Sequence, residues 1–470
     1  MKYISVENVG FSNQQEHKVQ LVPVGNQSIT FEIPYVEQEE ITEFINLLKS
    51  RKAINQSVIQ RANNLLKVVD LLLRKKNEII DAVCVETGKS KALSESEFNV
   101  ATEFMISLAG LAKFSSGTVI PSVNPQKNAS YERVPYGIAS LIVSFNTPLP
   151  NYAWKVAPSY LVGNTSILKP SPFTPLSAQL FVDSFSQVLG ESNSIFLLQG
   201  GSDQGRYLLA AKPDLISFTG SFETGVLIQE QIKGHSPKVI LELGGNNSFI
   251  VFSDVDIDQC VETAFQSAYS NSGQRCAAGS RIFLEKSISH DFISKLKKRV
   301  IETKAGIGID FEIGPVISES SYQDLERFLK NCSSLGLPIH QASSSDADKL
   351  FFNPTLVEIS MDKLSLMNDE LFGPIARVCI FDSEEEVVNL VNSTKNSLTA
   401  AVWTNDLNRA LRVSRAIRSG IVNINGPTHG AEFQFPFGGF ENSGNGAKEV
   451  GYQCLDQYSF SKLTTITYRN

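Results

Sequence analysis

Two short stretches of the chain carry groups able to do covalent chemistry. Val239-Ile-Leu-Glu-Leu-Gly-Gly-Asn-Asn247 sets one acid, Glu242, at the end of a β-branched and leucine run that Gly244 and Gly245 stop. Asn271-Ser-Gly-Gln-Arg-Cys-Ala-Ala-Gly279 sets one thiol, Cys276, in a loop of small residues. A thiol attacks carbonyl carbon well, and a carboxylate brought to the same pocket is a base. Cysteine is more often a small buried hydrophobe than a nucleophile, but Gly, Gln, Arg and Ala neighbours make a poor core and allow close backbone approach. An acid at a strand end is more often solvated or ion-paired. Inside an otherwise apolar strand its pKa rises, which suits a general base near neutral pH. Arg275, next to the thiol, favours the thiolate. The remaining cysteines, Cys84, Cys260, Cys332, Cys379 and Cys454, sit in helical or strand patterns and read as packing.

Something must hold these two stretches in place. From 137 to 245 the sequence repeats strand, turn, helix, with short Val/Ile/Leu/Phe-rich runs at 139–145, 165–169, 195–199, 214–218 and 238–243 and helical patterns at 175–189 and 223–233. That alternation predicts βαβ units and a doubly wound, mostly parallel sheet. Such sheets bind ligands beyond the carboxyl ends of their strands. Asn146, Lys169, Gly200-Gly201, Thr219-Gly-Ser221 and Gly244-Gly245 all fall there. Phe218-Thr-Gly-Ser-Phe-Glu-Thr-Gly225 reads as strand, glycine turn and helix start, whose free N–H groups suit a phosphate. It lacks the G-x-G-x-x-G dinucleotide fingerprint. Lys169, before Pro170, either meets ribose or phosphate or is a surface lysine.

Around this unit, residues 1–40 look irregular or hairpin-like, with Gly25 and Asn26 as turn formers. Residues 39–113 are helical and amphipathic, and Leu65, Leu66, Val69, Leu72 and Leu73 recur at helical spacing as a buried face. Glu86-Thr-Gly-Lys89 is a turn in which Gly88 can take positive φ. Residues 114–132 read as an exposed β-ribbon. Asp256 caps a helix whose buried face is Ile257, Cys260, Val261, Ala264, Phe265 and Ala268, and Asn271-Ser-Gly273 ends it. Residues 280–450 suggest a second α/β domain. The tail from Tyr458 to Tyr468 has strand composition and is expected to pair with another strand, the candidate being the 114–132 ribbon of a partner subunit.

A chain of 470 residues exceeds one ordinary core, so two or three domains are expected. The net charge of −7 is spread without any basic block, which speaks against nucleic acid and anionic membranes as partners. The six cysteines are scattered, with no C-x-x-C and no histidine cluster, so neither a disulfide framework nor a metal site is expected, and a reducing cytoplasm fits. The start shows no signal-peptide pattern, and no apolar run approaches a membrane span.

Taken together these residues resemble the aldehyde dehydrogenase superfamily over nearly the whole chain. Leu241-Glu-Leu-Gly-Gly245 is similar to its glutamate motif and Gly273-Gln-Arg-Cys276 to its cysteine motif, with 34 residues between acid and thiol as the family shows. Phe145-Asn146, Leu168-Lys-Pro-Ser171, Phe218-Thr-Gly-Ser221, Glu370-Leu-Phe-Gly-Pro374 and Pro436-Phe-Gly-Gly439 followed by Ser443-Gly444 lie around them in family order. The resemblance implies oxidation of an aldehyde to an acid with NAD or NADP. Cys276 would form a thiohemiacetal and then a thioester. The Asn146 amide and the Cys276 backbone N–H would hold the oxyanion, and Glu242 would activate the hydrolytic water. Lys169 would meet the adenosine ribose or its phosphate, Ser221 the pyrophosphate and Glu370 the nicotinamide ribose. Phe372 would pack near that end, and Phe145, Ser171, Gly220, Gly225, Leu243 and Gly244 would complete the cofactor contacts.

The resemblance further implies a Rossmann-type cofactor domain (1–113 and 133–240), an α/β catalytic domain (241–450) and a β-ribbon oligomerisation arm (114–132 and 451–470), hence a homodimer or homotetramer. Three departures stand out. Ser144-Phe-Asn replaces the common Pro-Trp-Asn at the oxyanion stretch. Pro172 stands where many NAD-preferring members carry a glutamate, which removes a repulsion against a 2′-phosphate. Ser248 replaces a proline. Acyl transfer to coenzyme A is disfavoured by Glu242, a non-catalytic role by the intact Cys276, Glu242 and Asn146, and zinc alcohol dehydrogenase chemistry by the missing ligand clusters. The aromatic pairs Phe145/Trp154 and Phe435/Phe437 hint at an apolar or aromatic aldehyde.

Overall fold

The computed structural model describes residues 2–5, 7–11, 17–24, 27–51, 56–114, 117–306, 312–343, 350–430 and 432–468. Its architecture is α/β, built on two parallel sheets. The first has five strands in the spatial order Lys238–Glu242, Leu215–Thr219, Ile138–Ile142, Thr165–Lys169, Ile195–Leu197, all parallel. From Ile138–Ile142 the chain moves outward through two strands on one side, then returns to build Leu215–Thr219 and Lys238–Glu242 on the other. The order therefore reverses beside Ile138–Ile142, and the crevice opens where Phe145, Asn146, Gly220 and Ser221 emerge.

The strands match the sequence reading within a few residues. The first stops at Ile142, short of the expected Phe145. Its last sheet bond is the Val143 N–H to the Lys169 carbonyl (3.1 Å), after which Ser144-Phe-Asn turns toward the helix Pro148–Val162. Pro148 starts that helix where its missing N–H costs nothing.

The second sheet has seven strands in the order Ile339–Gln341, Thr355–Glu358, Ile375–Phe381, Arg281–Glu285, Ser248–Val251, Thr399–Trp403, Ile421–Ile424, antiparallel only between the first two. Separate apolar clusters pack on its two faces, one around Phe249, Phe265 and Phe292, the other around Phe283, Phe352 and Phe381. The tail strand Ser459–Thr467 pairs antiparallel with Lys127–Pro135, which pairs in turn with Gly117–Ile120. The tail thus finds its partner within its own chain, where the sequence had suggested a second subunit.

At the N-terminal end, His17–Val24 and Gln27–Pro34 form the expected antiparallel pair, and the Gly25-Asn26 turn lies outside the described residues. Helices Gln38–Ser50, Val58–Arg74, Lys76–Thr87 and Lys91–Ala112 follow. Gly88 ends the third in the left-handed region (φ 71°), where an added Cβ would sit 2.3 Å from Pro315. In Val58–Arg74, Ser57 and Gln60 form a reciprocal capping box. Its buried face is Ala62, Leu65, Val68, Val69 and Leu72, whereas Leu73 is 48% exposed. At 100° per residue, a stripe centred on 65, 69 and 72 carries position 73 to its far edge. Leu65→Ala should destabilise the protein by about 2–5 kcal/mol. Leu73→Ala should stay within about 0.5 kcal/mol, both read as denaturant midpoints of the same unfolding transition.

Candidate active site

Glu242 closes the edge strand of the first sheet, and the next strand of the chain, Ser248–Val251, opens in the second. The link Leu243-Gly-Gly-Asn-Asn247 therefore crosses between the sheets. At Gly244 a Cβ would lie 1.9 Å from the Glu370 carboxylate, and at Gly245 one would lie 2.4 Å from the Cys276 carbonyl oxygen. At Gly245 the neighbour is backbone, so glycine is required there; at Gly244 it is the end of the Glu370 side chain, which a Cβ would displace from its contact with the crossing chain. The Gly245 N–H donates to Glu370 Oε1 (3.1 Å), and Asn247 Nδ2 donates to the carbonyls of Cys276 (2.7 Å) and Ala278 (3.0 Å).

Cys276 is presented by an unusual turn. The helix Ile257–Tyr269, capped by Asp256 as expected, gives way to Asn271, Ser272 and Gly273, all with positive φ (55°, 57° and 67°). Two non-glycine residues in that region persist only when surroundings over-determine them. Asn271 Nδ2 donates to the carbonyls of Asn146 and Gln274 (both 3.1 Å), Ser272 Oγ to that of Gly314 (2.9 Å), and Gln274 Nε2 to that of Pro315 (3.1 Å).

These elements wall a cavity of about 790 Å³. Its lining includes Cys276, Glu242, Asn146, Phe145, Gly220, Ser221, Leu243, Gly244, Glu370 and Phe372. Ten of the sequence-selected residues are thus brought together. Lys169, Ser171 and Gly225 are outside that lining, Gly225 lining a neighbouring cavity with Leu243. Lys169 Nζ donates to the carbonyls of Gly200 (2.8 Å) and Pro170 (3.1 Å), Ser171 Oγ accepts from the Phe173 N–H (3.3 Å), and Gly225 packs against Leu243. Lys169 is buried, so it is not the surface lysine that its sequence context also allowed. Phe145 packs edge-to-face on Phe372 (6.0 Å) and on Phe173 (5.9 Å), while Trp154 packs on Phe437 (5.9 Å). Phe435 is exposed. The aromatic pairing is therefore Trp154/Phe437 at the cavity wall, in place of Phe145/Trp154 and Phe435/Phe437.

Electrostatics set the resting protonation. Burial, then Glu370 and Glu242, push the Cys276 thiol up to about 12, and the Ala277 backbone and Arg275 offset only part of this. Arg275 does not, by itself, make a thiolate. Burial and then Glu449 raise the Glu242 carboxyl well above the carboxylate range, and both of its oxygens lack a protein partner. Burial lifts Glu370 to about 7.

Behind Glu242 lies a network that the sequence reading missed. Lys155 pairs with Glu449, both fully buried, and Lys155 Nζ also donates to Ser217 Oγ (2.9 Å), which lies 3.0 Å from the Tyr458 hydroxyl. A signal existed: Lys155 lies in Tyr152-Ala-Trp-Lys-Val-Ala157, a helix segment otherwise without charge. A second pair, Lys89 with Glu97, flanks the thiol loop, and Lys89 Nζ also donates to the Asn146 carbonyl.

The Asn146 side chain is held from its carbonyl end. Ser144 Oγ donates to Asn146 Oδ1 (2.7 Å) and accepts from Asn151 Nδ2 (3.1 Å). That fixes the amide so that its NH₂ is the end left to donate. Among the described residues, no group of three or more His, Cys, Asp or Glu is placed to hold a metal ion, and no helix is long and apolar enough to cross a membrane.

Comparison with known proteins agrees with this geometry. Residues 11–464 match the aldehyde dehydrogenase family. A betaine aldehyde dehydrogenase of Bacillus subtilis is 33% identical over 424 residues, 88% of this chain and 85% of its own length. Human retinal dehydrogenase 2 is 36% identical over 365 residues, 76% of this chain and 70% of that protein. Among solved structures, a betaine aldehyde dehydrogenase from Staphylococcus aureus in complex with NAD+ superposes with a TM-score of 0.90 at 28% identity, covering 98% of this chain and 95% of the other.

If Ser144 holds the Asn146 amide in its donating orientation, Ser144→Ala should lower the rate of the chemical step. The loss should be smaller than that for Asn146→Ala, for which removal of one oxyanion donor predicts about 10²–10³-fold. Single-turnover kinetics on the two variants and the double variant check this. Additive losses in the double variant would show that Ser144 acts elsewhere.

Proposed function

The chain belongs to the aldehyde dehydrogenase family, and we propose that Cys276 is its nucleophile and Glu242 the base that releases its product. The reaction is the oxidation of an aldehyde to a carboxylic acid with NAD or NADP. The observation that carries the residue assignment is the delivery of Cys276, Glu242 and Asn146 to one cavity by three different elements.

The site offers a fit for the dinucleotide. Ser221 caps the helix Phe222–Gln231 at the reversal of strand order, its Oγ accepting from the Thr224 N–H (3.3 Å). The neighbouring Thr219 hydroxyl is buried without a protein partner. A helix N-terminus at a switch point suits a pyrophosphate. Ser221 and Gly220 would meet that group, and Glu370 and Phe372 the nicotinamide end. Lys169, which burial lowers to about 8, would meet the adenosine ribose or its phosphate after leaving its carbonyl partners. Bound nicotinamide supplies an acceptor for hydride.

The protein's own groups do the rest. The Cys276 sulfur bonds to the aldehyde carbon while its proton leaves to a base, and the former carbonyl oxygen becomes an oxyanion. The Asn146 NH₂ and the Cys276 backbone N–H donate to that oxygen. Loss of hydride leaves a thioester on Cys276. Glu242, in its ionised form, takes a proton from water, the hydroxide adds to the thioester carbon, and the Cys276 thiolate leaves as the acid forms. The raised pKa of Glu242 puts the deacylating form on the alkaline side, so turnover limited by this step rises with pH.

We also assign 1–113 with 133–240 to cofactor binding, 241–450 to catalysis and 114–132 with 451–470 to an oligomerisation arm. Exposed Val119 and Ile466 on one face of the ribbon, Leu463 on the other and Val123 beside it support a homodimer or homotetramer, since exposed apolar residues on a β-ribbon are otherwise an aggregation hazard. A cytoplasmic location fits the five other unpaired cysteines.

Two measurements check these assignments. Glu242→Gln should give a burst of reduced cofactor near one equivalent per site and then stall as the thioester accumulates, while Cys276→Ala gives no burst. A Cys276→Ala protein as active as the parent would sink the assignment. Pro172→Glu should shift preference toward NAD by about tenfold or more, because a carboxylate repels the 2′-phosphate of NADP. Parallel assays at 340 nm with both cofactors read the ratio.

A further inference from the structure

One stretch of the cavity wall has no task in the steps above. It comes from the helices Lys91–Ala112 and Pro148–Val162, the cysteine loop and the segment around His429. Four of its polar atoms are buried with no protein partner: Glu97 Oε2, Trp154 Nε1, Arg275 Nε and His429 Nε2. Buried polar groups are normally satisfied, so four orphans on one wall of one cavity point to a polar ligand.

The charges decide which kind. Lys89 cancels Glu97 through its other oxygen, and Lys155 cancels Glu449. Glu242 sits well above its usual range and is largely uncharged at neutral pH, while Glu370, at about 7 and placed against the Gly245 N–H, is about half ionised there. Burial and Arg275 hold His429 down to about 4, so its ring is neutral, and its contact with the Gln266 backbone leaves Nε2 as the free nitrogen. Arg275 has no salt-bridge partner among the described residues, and burial disfavours its charge more than Glu97 and Cys276 favour it. One uncancelled guanidinium therefore remains beside the thiol, with the Trp154 N–H as a second donor on the same wall.

We propose that the physiological aldehyde carries a carboxylate on its tail, bound by Arg275 with help from Trp154. This rests on the reading of Cys276 as the nucleophile. A plain alkyl or aryl tail would leave the guanidinium buried and unpaired, and a quaternary ammonium tail would meet like charge. A planar carboxylate matches the guanidinium fork and supplies the missing anion. The acceptors Glu97 Oε2 and His429 Nε2 suit water or a hydroxyl on the same tail; Glu97 also faces Arg275, but its charge is shared with Lys89, so this cluster of two cations and one anion keeps a net positive charge.

The test compares ω-oxo acids of three to six carbons with their methyl esters, with unsubstituted aldehydes of equal length and with a trimethylammonium-tailed aldehyde. The proposal expects kcat/KM to favour at least one oxo acid by about tenfold or more over every neutral counterpart, mainly through KM, as for a site built to pair a polar group. Arg275→Gln should collapse that ratio and Arg275→Lys should restore part of it. Should Arg275→Gln not fold, the acid-to-ester ratio in the intact enzyme still decides. Equal or better use of neutral or cationic aldehydes overturns the proposal while leaving aldehyde oxidation in place, as does a preference unchanged in Arg275→Gln. Absence of Cys276-dependent oxidation with every compound overturns the parent reading and this one together.

Discussion

At Gly244 and Gly245 the chain passes between the Glu370 carboxylate and the carbonyl of Cys276 with no room for a β-carbon. That squeeze is the constraint from which the site follows. It lets a strand ending in Glu242 run straight into the second sheet, and it lays the crossing chain against the loop that carries the thiol. Asn247 then fastens the same loop from the far side, through the carbonyls of Cys276 and Ala278. A methyl group at Gly245 would push the crossing chain and the Cys276 loop apart, and a displacement of about 1 Å in an active site is enough to cost a hundredfold in rate.

The second requirement is electrical. Bringing Glu242, Glu370 and Glu449 into one buried region concentrates acid where water cannot solvate it. Lys155 answers one of the three directly, Glu242 stays largely protonated at rest, and Glu370, at about 7, is about half ionised at neutral pH. The same burial that makes Glu242 a weak acid makes Cys276 a reluctant thiolate. The resting base and thiol are therefore largely uncharged, and reactivity has to be called up by substrate and cofactor. Oxidative damage to the thiol is correspondingly restrained between turnovers.

Much of this was legible from residue order, for identifiable reasons. Strands and helices of the first sheet announce themselves through alternation of short apolar runs with turns, and the chemistry-bearing residues sit at strand ends, which a linear reading can locate. Gly244-Gly245 was visible as a strand stop, but the close approaches of residues 126 and 31 positions away were not. Leu73 was misplaced because apolar spacing alone does not say where a helix face ends. Trp154 was matched to the wrong aromatic partner because Phe437 reaches it only through the fold. Lys155 and Glu449 escaped notice because their buried ion pair joins positions 294 residues apart, and Lys89 and Glu97, only 8 apart, because each alone looks like a surface charge.

The Lys155–Glu449 pair also has a temporal side. Lys155 and Cys276 leave the ribosome well before Glu449, which follows the thiol by 173 residues, and Tyr458 and the strand that closes on Lys127–Pro135 come later still. Until then Lys155 has no buried anion, and the helix that carries it has a wet face. The nascent chain thus holds Cys276 in an unfinished cleft, and the last few dozen residues complete the first core rather than append to it. A truncation in this region is for that reason a folding lesion first and a catalytic one second, with exposed helix faces for chaperones to find.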